Sequence, residues 1–395
     1  MEIIPISRVK SIIEFRLDQL LDTIASLLRS NIISIPIIVD KKSMTVISGH
    51  KLYAALKTLG VKRIPITWEE SEEEIKITLD ELGFYEDIKP SKTRVFKNTL
   101  ELLYLNWPTP LVKLTSLSNN KFNVWAKLES YNPFSNSIKD RVGWYMIKDA
   151  LSKGVKFDLL YEATSGNTGV ALASISAILG VKVKLFVPQV IQKVTDTYLK
   201  IIGADVVRVS KSLTVEFLDE VETWAKRDKA LNLNQFENNA NFLVHLRYTA
   251  KGLDLQLKDN NIKPSIIIGG IGTSGHMSAL SLYFKNRYRD KIQLVAVQPS
   301  EGEIIPGIRR IETGMKWASW VKFDKTVNVS RKEAIKEVIN IARKEGILIG
   351  LSSGAVIAAI KKLENPKGNI IAILPDSGFK YFEQLEDYLN RTNIG

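Results

Sequence analysis

NPFSNSIKDR, the stretch from Asn132 to Arg141, places Lys139 directly after a run of small polar residues and before an apolar pattern with helical spacing. Small polar residues favour the N-cap of a helix, so we predict that Lys139 lies in the first helical turn. The helix dipole favours negative charge at this end and lowers the pKa of an amine held there, which makes the amine a usable nucleophile. The alternative, more common for a lone lysine, is a solvated surface charge balanced by Asp140 and Arg141.

The composition excludes several kinds of active site. The chain has 395 residues, 45% of them hydrophobic, which is typical of a soluble protein with two or three domains. It has no long apolar run and no N-terminal signal sequence, so we expect a cytoplasmic protein without a membrane partner. The absence of cysteine excludes disulfides, thiolate metal sites and a cysteine nucleophile, and three histidines argue against a histidine-rich metal site. We therefore predict chemistry by other side chains or by an organic cofactor, with no metal.

The formal charge of +12 is spread along the chain. Residues 1–100 are nearly balanced, the excess lies in the later part, and no block of five or six basic residues occurs. A scattered excess is more typical of attraction for small anionic substrates than of a nucleic-acid track. Nucleic acid is therefore not expected as the main partner.

The order of predicted elements divides the chain. Residues 1–68 are interpreted as a small α/β unit, and residues 69–108 as a helical connector that begins with the acidic run Glu69–Glu74. From residue 109 onward strands alternate with helices, which favours parallel sheets with crossover helices in two layers. In such folds ligand sites gather where strands end and helices begin. The predicted strands are Val124–Leu128, Leu160–Ala163, Val183–Val187, Asp205–Val209, Ser265–Ile268, Leu294–Gln298 and Ile370–Leu374.

The turn ATSGNTG, from Ala163 to Gly169, follows a predicted strand and precedes a predicted helix. Its small residues leave backbone N–H groups uncovered at the helix start, and its hydroxyl and amide side chains add further donors. We predict an anion site of carboxylate size here. A turn that uses its hydroxyls to cap its own helix is an equally good alternative.

The turn GGIGTSGH, from Gly269 to His276, contains the G-x-G-x-x-G pattern of dinucleotide-binding folds. That interpretation needs an acidic residue at the end of the next strand, which instead ends at Gln298. The turn therefore predicts a phosphate cradle made of backbone N–H groups and hydroxyls. A third turn, PDSG from Pro375 to Gly378, brings another polar group to a strand end. A lysine able to form a Schiff base and a phosphate cradle together point to pyridoxal phosphate.

Five motifs follow one another along the chain: NPFSNSIKDR, EATSGNTG, GIGTSG, GLSSG at Gly350–Gly354, and PDSG. In this order and spacing, over about residues 105–390, they resemble the cysteine synthase and cystathionine β-synthase group of pyridoxal-phosphate β-replacement enzymes. The resemblance implies an α/β fold of fold-type II with two doubly wound domains. The large domain would comprise residues 109–132 and 244–395, and the small substrate domain residues 133–243. Within the group the chain is most similar to the archaeal O-phosphoserine sulfhydrylases, which also carry an N-terminal extension.

The resemblance also implies roles for individual residues. Lys139 would hold the cofactor covalently and later move the α-proton of the substrate, and Asn167 would bind the 3-hydroxyl group of the cofactor. Ser377 would contact the pyridine nitrogen, with Asp376 as the alternative. The substrate carboxylate would be held by Thr164, Ser165, Gly166, Thr168 and Gln235, and the cofactor phosphate by Gly272, Thr273, Ser274, Gly275 and His276.

The implied reaction is a ping-pong β-replacement that makes L-cysteine from O-phospho-L-serine and sulfide through an aminoacrylate, in a homodimer. The loop IPGIRR, from Ile305 to Arg310, resembles the loop that covers the active site of this group. Arg309, Arg310 or both are expected to grip the substrate phosphate, and pairing with nearby glutamates is the alternative. O-acetyl-L-serine as the donor stays open, as do cystathionine β-synthase, serine or threonine dehydratase and diaminopropionate synthase activities.

The segment VISGHKLYAALKTLG, from Val46 to Gly60, resembles the ParB/sulfiredoxin-like fold. The turn of that fold reads roughly Asp-Gly-His-His-Arg, whereas this chain has Ser48 and Leu52 in place of the acid and the arginine. A phosphate could still bind at this helix start. The two replacements nevertheless favour a structural or dimer-stabilising appendage over a DNA- or nucleotide-binding regulator.

Overall fold

A computed structural model describes residues 1–69, 75–88, 90, 93–164, 166–189 and 191–392 of the protein. Strands and helices alternate along the chain, and each of the predicted strands is present with its ends within two residues of the expected ones. The strands are β1 (Glu2–Pro5), β2 (Ile32–Ile33), β3 (Ile37–Val39), β4 (Val46–Ser48), β5 (Arg63–Thr67), β6 (Ile77–Thr78), β7 (Leu111–Leu114), β8 (Phe122–Leu128), β9 (Leu159–Ala163), β10 (Lys182–Pro188), β11 (Asp205–Val209), β12 (Leu231–Asn232), β13 (Pro264–Gly270), β14 (Gln293–Pro299), β15 (Lys325–Val329) and β16 (Gly368–Leu374).

A helix covers most of each pattern with helical spacing that the sequence shows, at residues 140–153, 168–179, 191–202, 213–228, 241–258, 276–288, 331–345, 353–363 and 379–390. One of them contains a π-helical segment, His245–Ala250, where the sequence predicts a single continuous helix. Within the described residues, no helix combines the length and apolar character that crossing a membrane requires. The α-helices are α1 (Leu17–Ser30), α2 (His50–Leu59), α3 (Thr99–Tyr104), α4 (Lys139–Ser152), α5 (Asn167–Leu179), α6 (Lys193–Ile201), α7 (Leu218–Asp228), α8 (Asn239–Val244), α9 (Lys251–Asp259), α10 (Gly275–Tyr288), α11 (Arg331–Glu345), α12 (Leu351–Lys361) and α13 (Phe382–Thr392).

The larger sheet has six strands in the order β15-β14-β13-β16-β8-β7, parallel except that β7 runs antiparallel to β8. Its apolar side chains alternate between two buried faces, as the pleat of a strand requires. Ile266 and Ile268 share a core with α11 and α12, whereas Ile267 shares one with α10. The edge strands β7 and β15 escape prediction because edge strands carry polar side chains, as in the sequence KTVNV of β15.

The smaller sheet has four parallel strands in the order β11-β10-β9-β12. The helices α4 and α5 pack against each other, and their apolar faces join β9 and β10 in one buried core. The helix α4 contributes Met146 and Ile147 to this core, and α5 contributes Leu172. Both sheets are therefore parallel layers with crossover helices, as the alternating pattern predicts.

The N-terminal unit is built on a sheet with the order β1-β5-β3-β4 and on the helices α1 and α2. Leu20 and Leu28 of α1 belong to the same hydrophobic core as Leu280 and Phe284 of α10. We call residues 93–392 the main body. Because its core continues into the N-terminal unit, the two fold against each other as one structure.

The segment between the N-terminal unit and the main body differs from the expected helical connector. Its described residues form β6, a series of turns and the short helix α3. Ile77 and Thr78 pair with Ile33 and Ile32 of β2, so this part of the segment is extended and not helical. The acidic run from Glu70 to Glu74, predicted as a helix start, lies outside the described residues.

Candidate active site

Three turns lie at the carboxyl ends of parallel strands. Residues 163–169, the carboxylate turn, join β9 to α5, and residues 269–276, the phosphate turn, join β13 to α10. Residues 375–378, the PDSG turn, follow β16 in the larger sheet. In an α/β fold, ligands bind at the edge of a sheet where the carboxyl ends of its parallel strands lie. These three turns are therefore candidates for ligand binding.

The loop that leads to Lys139 is attached to the PDSG turn. The backbone N–H of Ile138 donates to the carbonyl of Pro375 at 2.8 Å, and the N–H of Ser377 donates to the carbonyl of Asn136 at 3.2 Å. Lys139 is the first residue of α4, as predicted. The end of β16 therefore fixes where the lysine enters the site.

The environment of Lys139 favours a neutral amine. Lys139 is partly buried, and desolvation lowers the pKa of its amine to about 8, while the nearby Asp376 carboxylate acts in the opposite direction. The predicted direction of the pKa shift is thus confirmed, although burial rather than the helix dipole is its main cause. A much larger fraction of this amine is unprotonated at neutral pH than of an ordinary lysine.

The alternative of a solvated lysine balanced by Asp140 and Arg141 is wrong, because both neighbours are fully buried and have other partners. Asp140 accepts hydrogen bonds from the backbone N–H groups of Phe134 at 2.7 Å and Ser135 at 2.9 Å, and burial raises its pKa to about 6. Arg141 forms a buried ion pair with Glu129 at 2.6 Å. These contacts hold the loop before Lys139 in shape.

The phosphate turn forms a tight concave backbone. A Cβ added at Gly272 would lie 2.5 Å from the carbonyl oxygen of Gly307, and one added at Gly275 would lie 2.4 Å from Oδ1 of Asn241. Asn241 in turn donates to the hydroxyl of Thr273 at 2.9 Å. Ser274 takes a left-handed conformation, with φ of 72°, at the N-cap of α10.

Two polar atoms of the phosphate turn are buried without a hydrogen-bond partner, the hydroxyl of Ser274 and Nε2 of His276. Burial, reinforced by the charge of Lys139, lowers the pKa of His276 to about 3, so its imidazole is neutral. A buried donor without a partner costs free energy unless a ligand satisfies it. Together with the N–H groups of the helix start, this arrangement fits an oxyanion.

The carboxylate turn uses part of its polar groups internally. The hydroxyl of Thr164 accepts from the N–H groups of Gly166 at 3.2 Å and Gly169 at 3.1 Å, so this hydroxyl caps the turn, as in the alternative interpretation. Thr168 donates to the side-chain oxygen of Gln235 at 2.6 Å, which brings these two predicted residues together. Ser165 lies outside the described residues.

Glu162 is a buried residue of this region that sequence reasoning missed. Its Oε1 accepts from the backbone N–H of Gln235 at 3.0 Å, and its Oε2 has no hydrogen-bond partner. Burial raises its pKa to about 7. The Gln235 side chain also donates to the carbonyl of Ala163 at 3.2 Å, so three contacts fix its position.

The PDSG turn places Asp376 rather than Ser377 against the carboxylate turn. Asp376 is buried, and its Oδ2 accepts from the side-chain amide of Asn167 at 2.9 Å and from the hydroxyl of Tyr381 at 2.6 Å. The hydroxyl of Ser377 accepts from the N–H of Phe379 at 3.4 Å and so caps the following 3₁₀ turn. The assignment of the pyridine contact to Ser377 stays a prediction.

Residues 102–376 match the sequence model of a family described as pyridoxal-phosphate dependent enzyme. The chain belongs to this family. The phosphate turn, the buried lysine and the carboxylate turn of this pyridoxal-phosphate-dependent enzyme all lie inside the matched range. The cofactor predicted from the motifs is thereby confirmed.

Several characterised relatives of this pyridoxal-phosphate-dependent enzyme are cysteine synthases. Cysteine synthase B of Escherichia coli is 34% identical over 69% of this chain and 91% of its own length, and cysteine synthase of Buchnera aphidicola subsp. Schizaphis graminum is 36% identical over 69% and 91%. Among solved structures, O-ureido-L-serine synthase superposes with a TM-score of 0.66 and 25% identity over 76% of this chain and 97% of its own. A hydrogen sulfide-producing enzyme from Fusobacterium nucleatum superposes with a TM-score of 0.65 and 29% identity, over 73% of this chain and 100% of its own.

The residues of the phosphate turn fit the phosphate group of pyridoxal phosphate. The buried hydroxyl of Ser274 lacks a partner, and the close approaches at Gly272 and Gly275 leave no space for a side chain, so none covers the backbone of the turn there. A phosphate dianion would accept from this hydroxyl and from the N–H groups that begin α10. The fit rests on the donors of the turn itself.

The two arginines of the IPGIRR loop have different surroundings. Arg309 donates from Nε to the carbonyl of Gly272 at 2.9 Å, and its guanidinium lies 5.3 Å from the ring centre of Phe236. Burial lowers the pKa of Arg309, which stays a cation. Arg310 forms an exposed ion pair with Glu312 at 3.0 Å, the alternative considered from the sequence. Only Arg309 therefore lies at the phosphate turn.

Proposed function

We propose that this pyridoxal-phosphate-dependent enzyme makes L-cysteine by β-replacement, with O-phospho-L-serine as donor and sulfide as nucleophile. The similarity to cysteine synthases over most of their length supports the reaction type. The observation that carries the choice of donor is Arg309, a partly buried guanidinium fixed beside the phosphate turn. Within the described residues its terminal nitrogens make no hydrogen bond to the protein, so they are free to bind an anionic leaving group.

The bound cofactor supplies an electron sink for the negative charge that develops at the α-carbon of the amino acid. Lys139 is the base in this proposal, because its lowered pKa provides a neutral amine near neutral pH. Thr168 and Gln235 would hold the substrate carboxylate, and Asn167 would donate to the 3-hydroxyl oxygen of the cofactor. Arg309 would stabilise the departing phosphate, whose charge increases as the bond to the β-carbon breaks.

The test compares the kcat/KM values of O-phospho-L-serine and O-acetyl-L-serine with sulfide in the wild type, Arg309→Ala and Arg310→Ala. We expect Arg309→Ala to lose about 10- to 100-fold with the phosphate donor, the effect of removing a charge-assisted hydrogen bond. The acetyl donor serves as a control for the shape of the phosphate turn, because Arg309 also binds Gly272. Arg310→Ala, the matched surface variant, should behave as wild type. Unchanged phosphoserine activity in Arg309→Ala would contradict the proposal.

For the N-terminal unit we propose a ParB-like fold that serves as a stabilising appendage. Arg247 of the π-helical segment donates to the carbonyls of Thr58 at 2.6 Å and Lys57 at 2.9 Å, at the end of α2. The same guanidinium contacts the hydroxyl of Tyr145 in α4, the helix that starts at Lys139. Saturable binding of a nucleotide or of duplex DNA to the full chain would overturn this role.

We further propose a cytoplasmic homodimer whose main body divides into the large and small domains expected from the sequence. Support comes from the two separate parallel sheets and from the similarity to cysteine synthases. Light scattering of the purified protein gives the molar mass directly. A mass equal to that of one chain, 44.4 kDa, would contradict the dimer.

A further inference from the structure

A second lysine, Lys380, enters the site from the turn after the PDSG sequence. Its side chain is only 13% exposed. Its ammonium donates to the backbone carbonyl of Ser135 at 2.6 Å and to the side-chain oxygen of Asn167, and it lies 3.9 Å from Asp376. One cation thus joins the loop before Lys139, the start of α5 and the end of β16.

The contact with Lys380 fixes which way the Asn167 amide is turned. The side-chain oxygen of Asn167 accepts from Lys380, and its nitrogen donates to Asp376 at 2.9 Å. Asp376 is itself held by the hydroxyl of Tyr381. An amide that is bound at both ends in this way cannot exchange its oxygen and nitrogen, so a single N–H remains for a ligand.

Two carboxylates oppose the effect of burial on the pKa of Lys380. Desolvation lowers the pKa of Lys380, and the nearby Asp376 and Asp140 raise it. Asp140, in the first turn of α4, accepts from the backbone N–H of Ser135, so a second carboxylate acts on Lys380 beside this loop. An ammonium enclosed between two acids is a strong donor, and a charge-assisted hydrogen bond holds an amide more firmly than a neutral one.

We propose that Lys380 is a positioning residue for cofactor binding. It turns the Asn167 amide so that the amide presents an N–H donor to the 3-hydroxyl oxygen of pyridoxal phosphate. The inference rests on the proposed contact between Asn167 and the cofactor. In the absence of Lys380 only the hydrogen bond to Asp376 holds the amide, which would present its oxygen, an acceptor, for part of the time. A purely structural tie between Ser135 and the end of β16 would not act through Asn167.

A double-mutant cycle separates these two roles. The dissociation constant of pyridoxal phosphate and the visible spectrum of the bound cofactor are measured for the wild type, Lys380→Met, Asn167→Ala and the double variant. We expect Lys380→Met to weaken binding about tenfold when Asn167 is present and to have no further effect when it is absent. Lys380→Arg should recover most of the affinity because it keeps a cationic donor. Lys153→Met, which removes an exposed lysine paired with Asp149, is the matched control and should bind as wild type.

Additive effects of the two substitutions would show that Lys380 does not act through Asn167 and would overturn the inference. Wild-type affinity and spectrum in Lys380→Met would also overturn it. If Asn167→Ala alone binds the cofactor as wild type does, the proposed Asn167 contact fails, and the inference fails with it. Lys380→Gln is carried through the same cycle with the same criterion, so that a methionine variant with an altered circular dichroism spectrum does not decide the result.

Discussion

The tripeptide Ser-Gly-His occurs at residues 48–50 and again at residues 274–276, and each copy opens a helix. In the N-terminal unit Ser48 is exposed, and the ring of His50 has a partner, the hydroxyl of Ser11 at 3.0 Å. In the main body Ser274 and His276 are buried, and each has a polar atom without a partner. The same three residues are therefore partly exposed to solvent in one place and buried in the other.

This difference shows what a helix start needs in order to become a site. Both copies supply backbone N–H groups at the positive end of a helix. Other parts of the chain approach the second copy more closely: a Cβ added at Gly275 would lie 2.4 Å from Asn241, whereas one added at Gly49 would lie 3.5 Å from Ile37. Enclosure raises the strength of each donor and the cost of leaving it unpaired, so anion binding depends on the surroundings more than on the tripeptide.

The largest loss of activity is expected for a lysine of the main body, and none for a lysine of the N-terminal unit. Lys139→Ala should abolish turnover, by on the order of 10³-fold or more, and the covalent attachment of pyridoxal phosphate, because it removes the amine proposed both to bind the cofactor and to act as the base. Lys51→Ala, next to the first Ser-Gly-His copy, should leave both unchanged. The measurements are steady-state turnover and mass spectrometry after borohydride reduction, with circular dichroism to show that the fold is kept. Wild-type turnover by Lys139→Ala would remove the basis for an active site in the main body.

The next largest effect is expected for the glycine of the second Ser-Gly-His copy, Gly275, in comparison with Gly49 of the first. Gly275→Ala should weaken pyridoxal-phosphate binding about 100-fold, because its methyl group would displace Asn241 and with it Thr273. Gly49→Ala should lower stability by about 1 kcal/mol, since its φ of +86° is unfavourable for alanine, and should leave cofactor affinity as it is. Fluorescence titration and thermal unfolding give the two quantities. Equal affinities of the two variants would contradict the difference drawn between the copies.

Burial of Lys139 predicts a pH dependence of cofactor attachment to the apoprotein. The neutral amine is the reactive form, and burial lowers its pKa to about 8. The rate of covalent attachment should therefore fall about tenfold between pH 7 and pH 6 and should level off above pH 9. Stopped-flow absorbance at a fixed pyridoxal-phosphate concentration measures it. A rate that continues to rise through pH 10 would indicate an ordinary, solvated lysine.

The smallest effect on cofactor affinity and activity is expected for His50, the histidine of the first Ser-Gly-His copy. His50→Ala removes a partly exposed ring and its contact with Ser11, so the cofactor affinity and kcat/KM should stay within about twofold of wild type. Isothermal titration and steady-state kinetics on the full chain check this. A larger loss would mean that the N-terminal unit takes part in catalysis and would bring the two copies closer in role.

Much of the fold is predictable because its strands are short apolar runs bounded by turns, as in β13 and β16. The position of Lys139 at a helix start is predictable for a similar reason, since local residues decide it. The edge strand β15 is not, because its pairing with β14 depends on a partner distant in sequence. The local sequence pattern of a strand does not show which distant strand it will pair with.

The same reason explains what the sequence leaves open in the site. The sequence does not distinguish Arg309 from Arg310. Only the folded chain shows that Arg309 contacts Gly272, whereas Arg310 pairs with Glu312. Glu162 and Lys380 carry charges that usually indicate a surface position, yet both are buried by the packing of separate elements. Their partners lie on other turns, so no spacing rule would have found them.

The core shared by α1 and α10 has a practical consequence for protein engineering. The range matched by the family begins at residue 102, which invites a shortened expression product that starts there. Such a truncation would uncover the side of α10 on which Leu20 and Leu28 rest, and a newly exposed apolar patch promotes aggregation. The N-terminal unit thus shields an apolar side of the helix that begins at the phosphate turn, and low solubility of the shortened product would be the sign of its exposure.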